Sequence, residues 1–242
     1  NPLSNFHPDF DNVSVLSHIA SNPEKYGKES SHFAYARASS IGEDSDIKGV
    51  LDKIKKSPAE FHPYTVALAA KRFDVDQVKH LAKNLPEGFT NNQPLMNTIG
   101  GHKALHPDDI HELMTDKSVP HEIKSVMVEH PNLGSATVNH IMNHTEDFDT
   151  NTKFNAAMGS KISTEDIHTA VTNKDMDTSF RNGAAYNSKM DEETAKWILD
   201  NAEKESGGNR VHYMNLAANK IRNETTWYKE SFEEMVINQI IK

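Results

Sequence analysis

A junction of nearly fixed length recurs along this chain about every 30 residues, and a repeat of that period restricts the fold to stacked supersecondary units. The clearest pair is Lys161-Ile162-Ser163-Thr164-Glu165-Asp166-Ile167 and Lys189-Met190-Asp191-Glu192-Glu193-Thr194-Ala195. Each holds a basic residue, an apolar residue that closes one helix, a capping-type linker, and an apolar residue that opens the next. Closing residues fall at Ile41, Phe73, Leu105, Leu133, Ile162, Met190 and Ile221, and opening residues at Ile47, Val78, Ile110, Val138, Ile167, Ala195 and Thr226. The step from closing to opening residue is six positions in the first unit and five in each of the other six. Successive closing residues lie 32, 32, 28, 29, 28 and 31 apart, so length variation is absorbed away from the junction.

Within each unit the first helix carries an apolar pair at i and i+3, as in Leu16/Ile19, Ile47/Val50, Val78/Leu81, Ile110/Leu113, Val138/Ile141, Ile167/Ala170 and Ala195/Ile198. That is helical spacing, not strand alternation. Its start carries capping chemistry: Ser163 three residues before Asp166, Pro107 at an early position, and acids at Asp108, Asp109, Glu192 and Glu193 that suit the positive end of the helix dipole. Five residues before each closing position stand Ala36, Leu68, Gly100, Val128, Ala157, Ala185 and Leu216, a column with no polar member that predicts an inward face. Small neighbours such as Ala67, Ala69, Ala70, Gly101, Ala156 and Ala184 would let second helices lie close together, although alanine is also simply the best helix former.

Polar segments separate the helices of a unit: Ser57–Glu60, Pro86–Asn92, Asp147–Asn151 and Glu205–Asn209. The expected fold is all-α, an α-solenoid of about eight two-helix repeats with a period of roughly 28–32 residues, forming one domain over 1–242. Residues 1–11 read as an extended lead-in, 12–221 as helical hairpins, and 222–242 as a degenerate C-terminal capping helix, since Thr226 stands where an apolar residue is expected.

The stretch Val128-Glu129-His130-Pro131-Asn132-Leu133, followed by Thr137-Val138-Asn139-His140-Ile141, resembles the leucine-rich repeat variant family, whose units carry a similar Asn-Pro-Asn-Leu turn between helices. Other units replace this turn by Gly-Ser-Lys-Ile, Asn-Ser-Lys-Met or Ala-Asn-Lys-Ile, and their longer period resembles helical-hairpin arrays of the HEAT-like kind. The resemblance implies a scaffold for protein partners. Some variant-family proteins hold an iron–sulfur cluster, which requires cysteines, and this chain has none. A minority of HEAT-like proteins hold damaged DNA in a basic groove, whereas 26 basic against 35 acidic residues leave this chain at −9.

The absence of cysteine also excludes disulfide frameworks, thiolate zinc sites and a cysteine nucleophile. No apolar run approaches the length of about 18 residues that spans a bilayer, and no signal segment opens the chain, so no membrane partner is expected and the cytoplasm is the expected compartment. Neither a glycine-bracketed nucleophile elbow nor a phosphate-binding loop is found, and paired carboxylates sit at exposed or helix-start positions. No catalytic residue and no cofactor are predicted. Seven of the fourteen histidines lie between His102 and His144; His140 and His144, four apart, could share a metal ion on one helical face, but two ligands do not make a site.

Two in-register basic columns are the candidate partner-binding residues. Arg72, Lys161, Lys189 and Lys220, with Asn132, immediately precede the closing residue, and Lys124, Lys153, Arg181 and His212 stand nine before it. Positions eight apart differ by about 80° around a helix, so both columns could border one surface and meet an acidic peptide or, in a rival reading, a nucleic-acid backbone. Against this, cations near a helix C-terminus complement the dipole and need no ligand. The predicted role is a non-catalytic scaffold with a protein partner or a structural part of a larger assembly.

Overall fold

The computed structural model describes residues 12–201 with Asn215, Ala217, Ala218 and Lys220. The lead-in 1–11, the capping segment 222–242, Ile221 and His212 lie outside the described residues. Those described form helices and no strands: α1 (Val13–Ala20), α2 (Pro23–Tyr26), α3 (Lys28–Ile41), α4 (Asp44–Lys56), α5 (Pro63–Ala70), α6 (Val75–Lys83), α7 (Gln93–Gly100), α8 (Pro107–Thr115), α9 (His121–Met127), α10 (Ser135–Asn143), α11 (Thr150–Met158), α12 (Thr164–Thr172), α13 (Thr178–Ala185) and α14 (Glu192–Asn201). The all-α expectation holds across them.

The chain divides into two compact units at Asn132/Leu133. In the first unit the second helices of successive hairpins pack in order, α3 on α5, α5 on α7 and α7 on α9, while first helices α6 and α8 pack on each other. In the second unit α11 packs on α13 and α12 on α14, and α10 and α12 also touch the helix that follows them. Both units thus contain a layer of second helices and a layer of first helices.

The junction spacing translates directly into burial. From Ile47/Val50 to Ala195/Ile198, every opening residue and its i+3 partner is buried, as are the closing residues Phe73, Leu105, Leu133, Ile162 and Met190. A side chain of this size removed from water contributes about 1.5–3 kcal/mol, so this one pattern supplies much of the core. Ile41 is the exception at 38% exposed. The predicted inward column also varies: Gly100, Val128, Ala157 and Ala185 are buried, whereas Ala36 and Leu68 are half-buried because α3 and α5 turn Ala34, Ala38, Val66 and Ala70 inward instead.

Linkers cap helices as their composition requires. Asp74 accepts from the Gln77 N–H at 2.9 Å while the Gln77 side chain accepts from the Asp74 N–H, a reciprocal box at the start of α6. Ser163 accepts from the Asp166 N–H at 3.0 Å at the start of α12. Two predicted loops are partly helical: Pro58–Glu60 forms a single 3-10 turn, and α11 begins at Thr150 because Asp149 caps it through the Thr152 N–H.

Glycine sets the closest approaches. A Cβ on Gly100 would stand 2.8 Å from Val126 Cβ and 3.0 Å from the Ile123 carbonyl oxygen, so α7 can meet α9 only with hydrogen at that position. At Gly183 a Cβ would land on the Phe154 carbonyl oxygen, making α11 against α13 tighter still.

Candidate functional site

The two basic columns meet the protein's own backbone. Arg72 donates from Nε to the Asp44 carboxylate at 2.8 Å and from a terminal nitrogen to the Ser39 carbonyl at 3.4 Å. Lys189 Nζ lies 2.6 Å from the Ser160 carbonyl oxygen and 3.4 Å from that of Ile162, and Lys220 Nζ lies 3.2 Å from that of Ser188. Asn132 does the same with its amide, donating to the Leu105 carbonyl at 2.9 Å. Each therefore serves the open carbonyl end of the preceding hairpin rather than of its own helix, an inter-repeat use of the favourable cation–dipole arrangement. Lys161 is exposed.

The second column is drawn in as well. Lys153 Nζ bonds the Asp177 carboxylate at 2.7 Å, tying α11 to the cap of α13. Burial alone would raise the Asp177 carboxyl, but the Lys153 ammonium and the Ser179 and Phe180 N–H groups outweigh it and hold the group below its ordinary value. Arg181 Nε donates to the Val171 carbonyl at 3.0 Å, and Lys124 is buried at 4% exposure. Arg72, Lys153, Arg181, Lys189 and Lys220 thus act first as ties between elements.

A third column, missed in the sequence, lies three residues before the closing position. His130 points Nε2 at the His102 carbonyl oxygen, 3.2 Å away, while its Nδ1 accepts from the Asn132 N–H at 3.0 Å. His102 repeats the arrangement one hairpin earlier, bonding the Ala70 backbone and accepting from the Ala104 N–H at 3.4 Å. In the second unit Asn187 takes the same place: Nδ2 donates to the Ala157 and Gly159 carbonyls at 2.7 and 2.9 Å, and Oδ1 accepts from the Lys189 N–H at 2.8 Å. These side chains pair one donor and one acceptor at fixed separation, closing their own turn and capping the preceding hairpin. The spacing of 28 between His102 and His130, in register with Asn187, is the sequence signal that could have revealed them.

Other histidines also serve as local hydrogen-bonding groups. His62 caps α5 through the Tyr64 N–H, and His168 Nδ1 lies 2.9 Å from Thr194 Oγ1. The rings of His140 and His144 sit edge to face with centroids 4.4 Å apart, and among the described residues no group of three or more metal-ligating side chains gathers.

Among the polar residues that the second helices expose stand a few large apolar side chains. Of the five large apolar side chains exposed among the described residues, only Val15 lies on a first helix; Ile41, Tyr64, Met158 and Tyr186 belong to second helices or their caps. In the first unit Tyr64, 46% exposed, stacks on His62 with centroids 5.4 Å apart, and His32 completes a three-ring cluster. In the second unit Tyr186 meets Phe154 edge-on at 5.6 Å, and Met158 at the end of α11 is 44% exposed. On the first-helix side of the first unit, a groove of about 640 Å³ runs over Ile54, Pro58, Phe73, Leu81 and Pro86.

No protein-family model, curated protein sequence or solved structure matches the chain. No helix among the described residues is long and apolar enough to cross a membrane.

Proposed function

We propose that the chain is an α-solenoid of stacked helical hairpins acting as a non-catalytic scaffold, which binds a protein partner on the layer of second helices. The observation that carries this reading is the placement of exposed large apolar side chains: Tyr64 lies on the second helices of the first unit and Met158 and Tyr186 on those of the second or their caps, whereas Val15 alone lies on a first helix among the described residues. Exposed aromatic and methionine side chains are the groups that anchor protein interfaces, because each removes a large area from water at small entropic cost. The reading places the apolar groups, rather than the basic columns, at the centre of the contact. Arg72, Lys153, Arg181, Lys189 and Lys220 already hold backbone or carboxylate partners, so their use by an acidic peptide would break bonds that join hairpins.

The test is affinity capture with the full chain, comparing the native sequence with Tyr64→Ala, Met158→Ala and Tyr186→Ala combined. A specific partner should be retained by the native chain and weakened at least tenfold by the triple variant, as expected for loss of about 1.4 kcal/mol or more of contact. A partner held equally by both forms would sink the assignment of this surface.

A further inference from the structure

His102 and His130 each have one ring nitrogen turned to a carbonyl and the other to a backbone N–H. His130 Nε2 faces a carbonyl oxygen and therefore carries the ring hydrogen; Nδ1 faces the Asn132 N–H and is therefore bare. His102 is held likewise between the Ala70 backbone and the Ala104 N–H. A proton can be added only at Nδ1, where it would confront an N–H already directed at that nitrogen. A buried donor would then point at a donor, so the charged ring has to leave its place.

We propose that His102 is an acid-released joint: its protonation breaks the ties among the turns after α5, α7 and α9, where His130 in turn holds the His102 carbonyl, and loosens the second-helix stack of the first unit. The second unit closes the same joint with Asn187, whose carboxamide does not titrate, so its joint stays shut.

The surroundings offer the charged rings little help. α7 carries no ionisable side chain and α5 only Tyr64. Asp109 and Glu112 of α8 are held by Lys79 and Lys83, leaving Asp108 and His111 on that helix. α9 contributes His121, Glu122 and buried Lys124; the turns themselves add Lys71, Arg72, Asp74, Lys103, His106 and exposed Glu129. Burial lowers the affinity of His102 for a proton, the Ala70 carbonyl restores part of it, and a charge on His130 lowers it again. The folded chain thus holds this proton less tightly than the unfolded chain, whose value is near 6.5. The joint is at full strength above that pH and weakens as pH falls through the lower folded value.

Hydrogen exchange of the full chain at pH 7.5 and 5.5, corrected for intrinsic rates, tests the proposal. Peptides over 98–106 and 127–132 should exchange several-fold faster at the lower pH, up to about tenfold for each unit by which folding depresses a histidine. A peptide over 184–191 should not change. Replacing both histidines by the residue the second unit uses, His102→Asn with His130→Asn, should abolish the acceleration. Equal acceleration in the variant, acceleration at 184–191 as well, or none in the native chain would overturn the joint. Should the variant fail to fold, NMR titration of the native His102 imidazole decides: a midpoint below 6.5 supports the proposal, and any other result refutes it.

Discussion

The two units solve one problem with different chemistry. A hairpin that ends against its predecessor leaves a carbonyl of that predecessor facing inward and an N–H of its own turn without a helical partner. His130 satisfies both in the first unit and Asn187 both in the second, each from three residues before the closing apolar side chain. An imidazole and a carboxamide are interchangeable here because each offers a donor and an acceptor on a short, planar group. They differ in one respect that geometry does not show, since only the imidazole changes charge between pH 5 and 8. The comparison teaches that, where this position carries a polar side chain, one hydrogen-bonding pattern can be met by two residue types.

The largest contrast between the units is expected at their glycines. At Gly183 a methyl would meet a backbone oxygen that can yield only by moving α11, whereas at Gly100 the first obstacle is the Val126 side chain. Gly183→Ala should therefore cost about 3 kcal/mol and Gly100→Ala about 1–2 kcal/mol, read from urea unfolding of the full chain. A neutral Gly183→Ala would mean that the tight α11–α13 contact is not a constraint on stability.

A smaller effect tests the joints directly. Asn187→Ala removes three hydrogen bonds and leaves the Ala157 carbonyl without this partner, a loss of about 2 kcal/mol at any pH between 5 and 8. Asn187→His should recover part of that loss at pH 7.5 and forfeit it at pH 5.5, importing into the second unit the acid sensitivity of the first. If the histidine variant were as stable at pH 5.5 as at 7.5, the equivalence of the two joints would fail.

The sequence exposed the layers more readily than the joints. Apolar residues at a constant five-residue step have one economical explanation, and burial of Ile110, Leu113, Val138 and Ile141 follows from it. The basic columns were equally visible, yet their periodicity cannot distinguish a ligand surface from a tie to the hairpin before. That distinction depends on where an ammonium such as Lys189 Nζ ends, 2.6 Å from a carbonyl 29 residues earlier. The third column was obscured by its composition, since the polar His102, His130 and Asn187 share their position with the small apolar Ala70 and Gly159. Exposed apolar groups were the least legible, because Tyr64 and Met158 read as ordinary amphipathic positions until their neighbours are placed.

The smallest expected effect separates the acid response of the joint from that of the surface. Between α6 and α8, Lys79 bonds Asp109 and Glu112, and Lys83 bonds Glu112 and Asp116. The two lysines hold the Glu112 carboxyl below its ordinary value, while the Ser118 hydroxyl and N–H, with Lys83, bring Asp116 down to about 2. Folded-state values below the unfolded ones mean that this contribution is present above about pH 4.5 and lost as pH falls further, well beneath the histidine window. These side chains are substantially solvated, so Lys79→Met with Lys83→Met should lower stability only slightly at low salt and almost not at all at 1 M salt. The double variant should shift the unfolding profile only at its acidic end and leave any transition between pH 5.5 and 7.5 in place. Were it to remove that upper transition, the pH response of the first unit would belong to its surface lysines and carboxylates, and the contrast between imidazole and carboxamide joints would lose its basis.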